Sequence, residues 1–216
     1  MGAGFNQNNG KYPNPMREFD SRVDTCYNAD MSRKIADPIK RKPSPETVAA
    51  ALTQLDVHFV THTGRVIGAR LAQQPVALLA SLAEQDESRL RLGIIPLLLR
   101  HPEWASLVPQ AVRQVSPRRR NVLKLYYTAA LLLQQKYAAR LEQSLGTFQF
   151  LTDWYSNELG VPARGNPDRR LRILAHRQQE RSGLVLNWLG TYEHVAERFV
   201  RQLDMAQGNY EHAHRR

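Results

Sequence analysis

From Ser44 onward the apolar positions recur with helical spacing. Ser44 followed by Pro45 reads as a cap and first helical residue, with Val48, Ala51, Leu52 and Leu55 on one face and a stop near Asp56. The next stretch, to Gly64, holds Val57, Phe59 and Val60; no other segment supplies a strand partner, so a loop or short extended link is expected. A short helix is expected over residues 65–74 despite Gly68, and Pro75 opens another through Val76, Leu78, Leu79, Leu82 and Ala83. Asp86 is placed to cap the segment that follows. Its apolar residues, from Leu90 through Ile94 and Ile95 to Leu99, are too continuous for a surface stripe, which predicts burial on most sides and a kink at Pro96. Pro102 starts a further turn with Trp104, Leu107 and Val108.

Ser116 and Pro117 form another start signal, and no Gly or Pro interrupts the helical pattern from there to Gly146. Between Tyr126 and Leu133 this helix is apolar nearly all round, as a central core helix is. Residues 150–159 are expected as a helix stopped by Gly160 and Pro162, and Asn166 with Pro167 begins one that ends at Gly183. The segment 184–189, with Trp188, is expected to be buried. A last helix over 191–205 places Tyr192, Val195, Phe199 and Leu203 at helical spacing. The pattern predicts an all-α fold of about seven helices in an irregular or orthogonal bundle, with no significant sheet. Residues 75–100, two helices joined by a polar turn leading into Arg89 and Arg91, resemble one helical hairpin of the HEAT kind. No second copy occurs, so the resemblance implies helix-on-helix packing and carries no function.

Composition divides the chain. Residues 1–43 hold scattered Asn, Gly and Pro and few aliphatic residues, which predicts a disordered or poorly structured basic arm ending in Arg33, Lys34, Lys40, Arg41 and Lys42. Met31 is an alternative start. Residues 44–206 are expected as a single helical domain and 207–216 as a frayed polar tail. The lone Cys26 excludes an intramolecular disulfide and fits a reducing compartment. With no signal-peptide pattern and no apolar run long enough to span a bilayer, the expected location is cytoplasmic.

The formal net charge of +10 suits an anionic partner, and it is unevenly spread. Residues 44–115 balance six basic against six acidic side chains; residues 116–146 carry six basic ones against Glu142 alone. Arg118, Arg119 and Arg120 crowd a helix start, where the macrodipole disfavours positive charge and backbone N–H groups favour an anion. Lys124 lies one turn on. A second cluster, Arg164, Arg169, Arg170, Arg172, Arg177 and Arg181, follows another helix start, tempered by Asp168 and Glu180.

Candidate chemistry is sparse. Arg170 and His176 enclose five residues, a spacing that resembles the Arg and His pair of HEPN-type ribonucleases, which implies an all-helical fold with those two side chains as catalytic candidates. His176 also lies beside Ile173, Leu174 and Ala175, as a structural histidine would. His58 and His62 have metal-ligand spacing, but on a segment not read as helical and without a following Glu, so no metal site and no cofactor are expected. Among the aromatic residues, Trp154 and Tyr155 are the expected exposed interface pair. A helix-turn-helix between Pro45 and Ala72 would need a shorter connection than residues 56–64 provide. The expected function is a non-enzymatic helical binding module, or an accessory, antitoxin-like partner protein, whose basic arm and helix starts engage an acidic protein partner or a nucleic-acid backbone. The alternatives are contact with a nucleic-acid phosphate backbone and, third, a ribonuclease. The sequence leaves the oligomeric state open.

Overall fold

Ser44 caps the first helix, α1 (Pro45–Gln54), by accepting the Thr47 backbone N–H, as the sequence predicts. Its other end is a Schellman motif: Val57 N–H reaches Leu52 O, Asp56 N–H reaches Thr53 O, and Asp56 takes the left-handed conformation at φ +57°. Val57, fully buried, is the apolar residue this motif presents to the core. The structure, a computed structural model, describes residues 42–58 and 68–214, with side chains up to Gln207. Residues 1–41 of the expected arm over 1–43, the link over 59–64, the start of the 65–74 helix, and with them Cys26, Met31 and His62, lie outside the described residues.

Helices follow one another along the rest of the chain: α2 (Ala69–Ala72), α3 (Pro75–Glu84), α4 (Ser88–Leu92) and α5 (Ile94–Arg100). A 3-10 segment, Pro102–Leu107, leads into α6 (Val108–Gln114), α7 (Pro117–Lys136) and α8 (Ala138–Leu145). The chain closes with α9 (Ser156–Leu159), α10 (Pro167–Ser182) and α11 (Trp188–His214). The fold is all-α, and among the described residues there is no strand. Gly68 begins α2 pressed against α1, where a Cβ would lie 2.4 Å from the Ala51 nitrogen, so only glycine permits this approach.

Helix α7 is the centre. Leu123 and every residue from Leu125 to Gln134 are buried, and α3, α5, α6, α8, α10 and α11 all pack on it. Nearly all-round burial follows from the nearly all-round apolar sequence. The helix does not run on to Gly146. It breaks at Tyr137, whose φ of −102° and ψ of 16° redirect α8 against α11, where Arg140 and Ser144 reach Asp204 and the Tyr137 hydroxyl reaches Glu197. Partners on α11 secure the new direction where Gly and Pro are absent.

The apolar run over 90–99 is divided at Gly93 instead of being kinked at Pro96. Pro96, lacking an N–H, falls in the first turn of α5, where no intrahelical donor is needed. Asp86 does not cap α4 either. Glu87 holds the cap position without a side-chain bond, and the Asp86 carboxylate joins Lys42 at 2.9 Å and Arg119 at 2.7 Å.

Residues 150–159 depart furthest from expectation. Only Ser156–Leu159 is helical; the chain before it lies as a strap along α7. The buried amide of Gln134 donates to Gln149 O at 3.0 Å and accepts from Leu151 N–H at 2.7 Å, and the Tyr127 hydroxyl donates to Thr152 O. These side chains supply the partners that a helix would have given the backbone. At the far end, α11 begins at Trp188, with Asn187 accepting the Gly190 N–H, and continues to His214 through residues whose polar composition predicts fraying.

Candidate functional site

The two basic clusters differ in what their side chains already do. At the start of α7 the Ser116 side chain makes no cap; instead the Glu84 carboxylate, from the end of α3, accepts the Ser116 N–H at 2.6 Å. The helix start therefore receives its negative charge from within the protein. Arg119 pairs with Asp86, whose carboxyl is held below its ordinary range by its hydrogen bond and charge attraction to Lys42 and, less, by Arg119. Arg120 Nε donates to Val115 O, and Lys124 pairs with Glu158 while lying over the Tyr155 ring. Of the four cations proposed there, Arg118 and Arg120 are exposed without a carboxylate partner among the described residues.

At the start of α10, neighbouring arginines separate. Asn166 caps the helix as expected, accepting the N–H groups of Asp168 and Arg169. Arg170 turns inward and is 3% exposed. Its guanidinium donates to Asp153 at 2.8 Å, Ser156 at 3.1 Å and Gln135 at 3.2 Å, tying the strap, α9 and α7 together. Arg170 belongs to the buried face that carries Leu171, Leu174, Ala175 and Gln178. Beside it Lys136 bridges Asp168 and Glu193, each at 2.6 Å, and those carboxylates raise its pKa.

Arg169, Arg172 and His176 are all exposed and recur at i, i+3 and i+7, one outward stripe of α10. Neither Arg169 nor Arg172 has a carboxylate within ion-pair distance among the described residues. His176 pairs with Glu180 at 3.2 Å, and Glu180 also takes Arg177, which holds its carboxyl below the usual range. Helical geometry thus sets Arg170 and His176 about 120° apart, and the structure does not bring this pair together. The two basic clusters are also separate. Arg170 meets Gln135 near the end of α7, and Arg120 lies fifteen positions earlier on that helix, about 22 Å along its axis.

Comparison of the chain with known protein families, curated proteins and solved structures found no match.

The expected interface pair is split. Trp154 is 48% exposed, with its indole N–H on Ala105 O, while Tyr155 is buried edge-on against Tyr127. The unforeseen feature is the connection between α10 and α11. Leu184, Val185 and Leu186, expected to be buried, are 54%, 89% and 51% exposed. Gly183 ends α10 at φ +65° and Asn187 begins capping α11, leaving three residues between, too few to fold back into the core. Asn187, a capping residue type directly before Trp188 and Leu189, was the sequence signal for this early start. Between α10 and the connection lies a shallow groove of about 240 Å³, lined by Arg172, His176, Gln179, Leu186, Trp188 and Leu189. His58 is exposed, and no group of metal-ligating side chains occurs among the described residues. No helix among them is long and apolar enough to cross a membrane.

Proposed function

We propose that this protein is a non-enzymatic helical binding module whose partner is an acidic protein, held by the outward stripe of α10. One observation carries the reading: Arg169 and Arg172 are exposed and without a carboxylate partner, whereas Arg119, Lys124, Lys136 and Arg170 are paired inside the protein. Cations that hold the fold together are poorly available to a ligand. Arg169 and Arg172 lose no internal pair on binding a carboxylate, and arginine presents the planar fork that suits one.

The proposed interaction is an electrostatic one at a surface, so its strength falls with salt. A labelled glutamate-rich peptide without apolar residues, and a single-stranded oligonucleotide, are titrated against the protein at low salt with anisotropy as the readout. The peptide is expected to bind, and Arg169→Ala with Arg172→Ala to weaken binding by roughly tenfold without changing the thermal midpoint. Failure of the peptide to bind at low salt overturns the reading. Tighter binding of the oligonucleotide through the same arginines would replace it with recognition of a phosphate backbone.

A further inference from the structure

We infer that the groove between α10 and the 184–189 connection docks an amphipathic segment of the partner, acidic at one end and leucine-like at the other; this rests on the acidic-partner reading above. The basic end is Arg169 with Arg172, and the apolar end is Leu184, Val185 and Leu186. Between them the groove floor joins Arg172 and His176 to Leu186 and Trp188. Of the two ends, Arg172 and Leu186 line the groove itself, which therefore passes from a cationic side chain on α10 to an apolar one on the connection.

The apolar end cannot retreat into the core. Helix α10 and the beginning of α11 are locked together by the buried Tyr192 hydroxyl, which donates to Gln178, and by Lys136 bridging Asp168 and Glu193. Gly183 and Asn187 hold the connection at both ends. Three adjacent exposed apolar side chains beside a groove form a contiguous apolar patch, and such a patch rimmed by polar residues marks an interaction site. Charge selects the occupant. The one carboxylate on the stripe, Glu180, is already taken by Arg177 and His176, so the positive end attracts acidic side chains and repels basic ones. From Arg169 to Gly183 the helix rises about 21 Å, which a partner helix of about 14 residues would match.

Three synthetic peptides of about 16 residues test this. One has glutamates at one end and leucines at the other, the second has the same composition scrambled, and the third has serines for leucines. The segregated peptide is expected to bind about tenfold more tightly than either control, and Leu184→Ser with Val185→Ser and Leu186→Ser to abolish that advantage. The triple variant should keep the wild-type thermal midpoint and its affinity for the serine peptide, because the three positions are exposed. Equal affinity for segregated and serine peptides would overturn the groove inference while leaving the acidic-partner reading standing. If no peptide binds, the acidic-partner reading itself fails. A dimer in sedimentation that the triple variant dissociates would overturn the inference in favour of a second copy of this chain.

Discussion

Asp168, Arg169 and Arg170 are adjacent in sequence and have three different tasks. Asp168 joins Lys136, Arg169 faces solvent, and Arg170 is buried among Asp153, Ser156 and Gln135. Helical geometry turns successive residues by about 100°, so a run that reads as one basic patch divides between core and surface. The sorting was legible: Arg170 precedes Leu171 and Leu174 at the spacings of the buried face. Arg170→Ala leaves the partly buried Asp153 carboxylate without its cation and is expected to cost about 3 kcal/mol, measured by urea unfolding. Gly68→Ala pushes a methyl into the α1 backbone and should cost about 2 kcal/mol in the same measurement. Nothing near Gly68 in the sequence announces that contact, because α1 lies far enough upstream for the approach to be purely tertiary.

At the scale of elements, starts and stops with their own chemistry could be read directly. Ser44 with Pro45, Asn166 with Pro167 and Gly183 all fall where the structure puts them. The misread elements are those decided by distant side chains. The strap before α9 is non-helical because Gln134 and Tyr127, on another helix, accept and donate to its backbone. Gln134→Leu removes both amide bonds and leaves strap groups without partners, which should cost about 2 kcal/mol. Hydrogen exchange at Leu151 should accelerate in that variant while amides in the middle of α7 stay protected. The break at Tyr137 and the start of α7 follow the same logic. Glu84, thirty-two positions before Ser116, stands in for a cap, and Glu84→Ala is expected to lower stability by about 1 kcal/mol, read as a shift in the thermal midpoint.

Across the whole molecule, burial raises the pKa of Tyr126, Tyr127 and Tyr192 above the ordinary phenol value. The folded state therefore holds these protons where the unfolded chain, ionising near pH 10, releases them. The tyrosines' contribution to stability should stay level below about pH 9 and fall beyond about pH 10, with tyrosinate absorbance rising together with loss of helical circular dichroism. Lys136, held charged by Asp168 and Glu193, contributes with the same sign. The all-α class and the central role of α7 were legible because apolar periodicity is a local property that survives folding. The proposed binding face was legible only in part. Positive charge was visible at both helix starts, but its availability depends on carboxylates contributed from elsewhere, and the exposed Leu184, Val185 and Leu186 resemble core residues until the connection's length is known.

The central claim, that α10 commits Arg170 to the fold and Arg169 with Arg172 to a partner, is tested most directly by thermal unfolding with and without a saturating glutamate-rich peptide. A ligand that binds the folded state raises its midpoint. The wild type should gain stability on adding peptide. Arg169→Ala with Arg172→Ala should start from the wild-type midpoint and lose that gain, while Arg170→Ala should start several degrees lower. A double variant that retains the full gain, or one that melts as early as Arg170→Ala, would contradict the account.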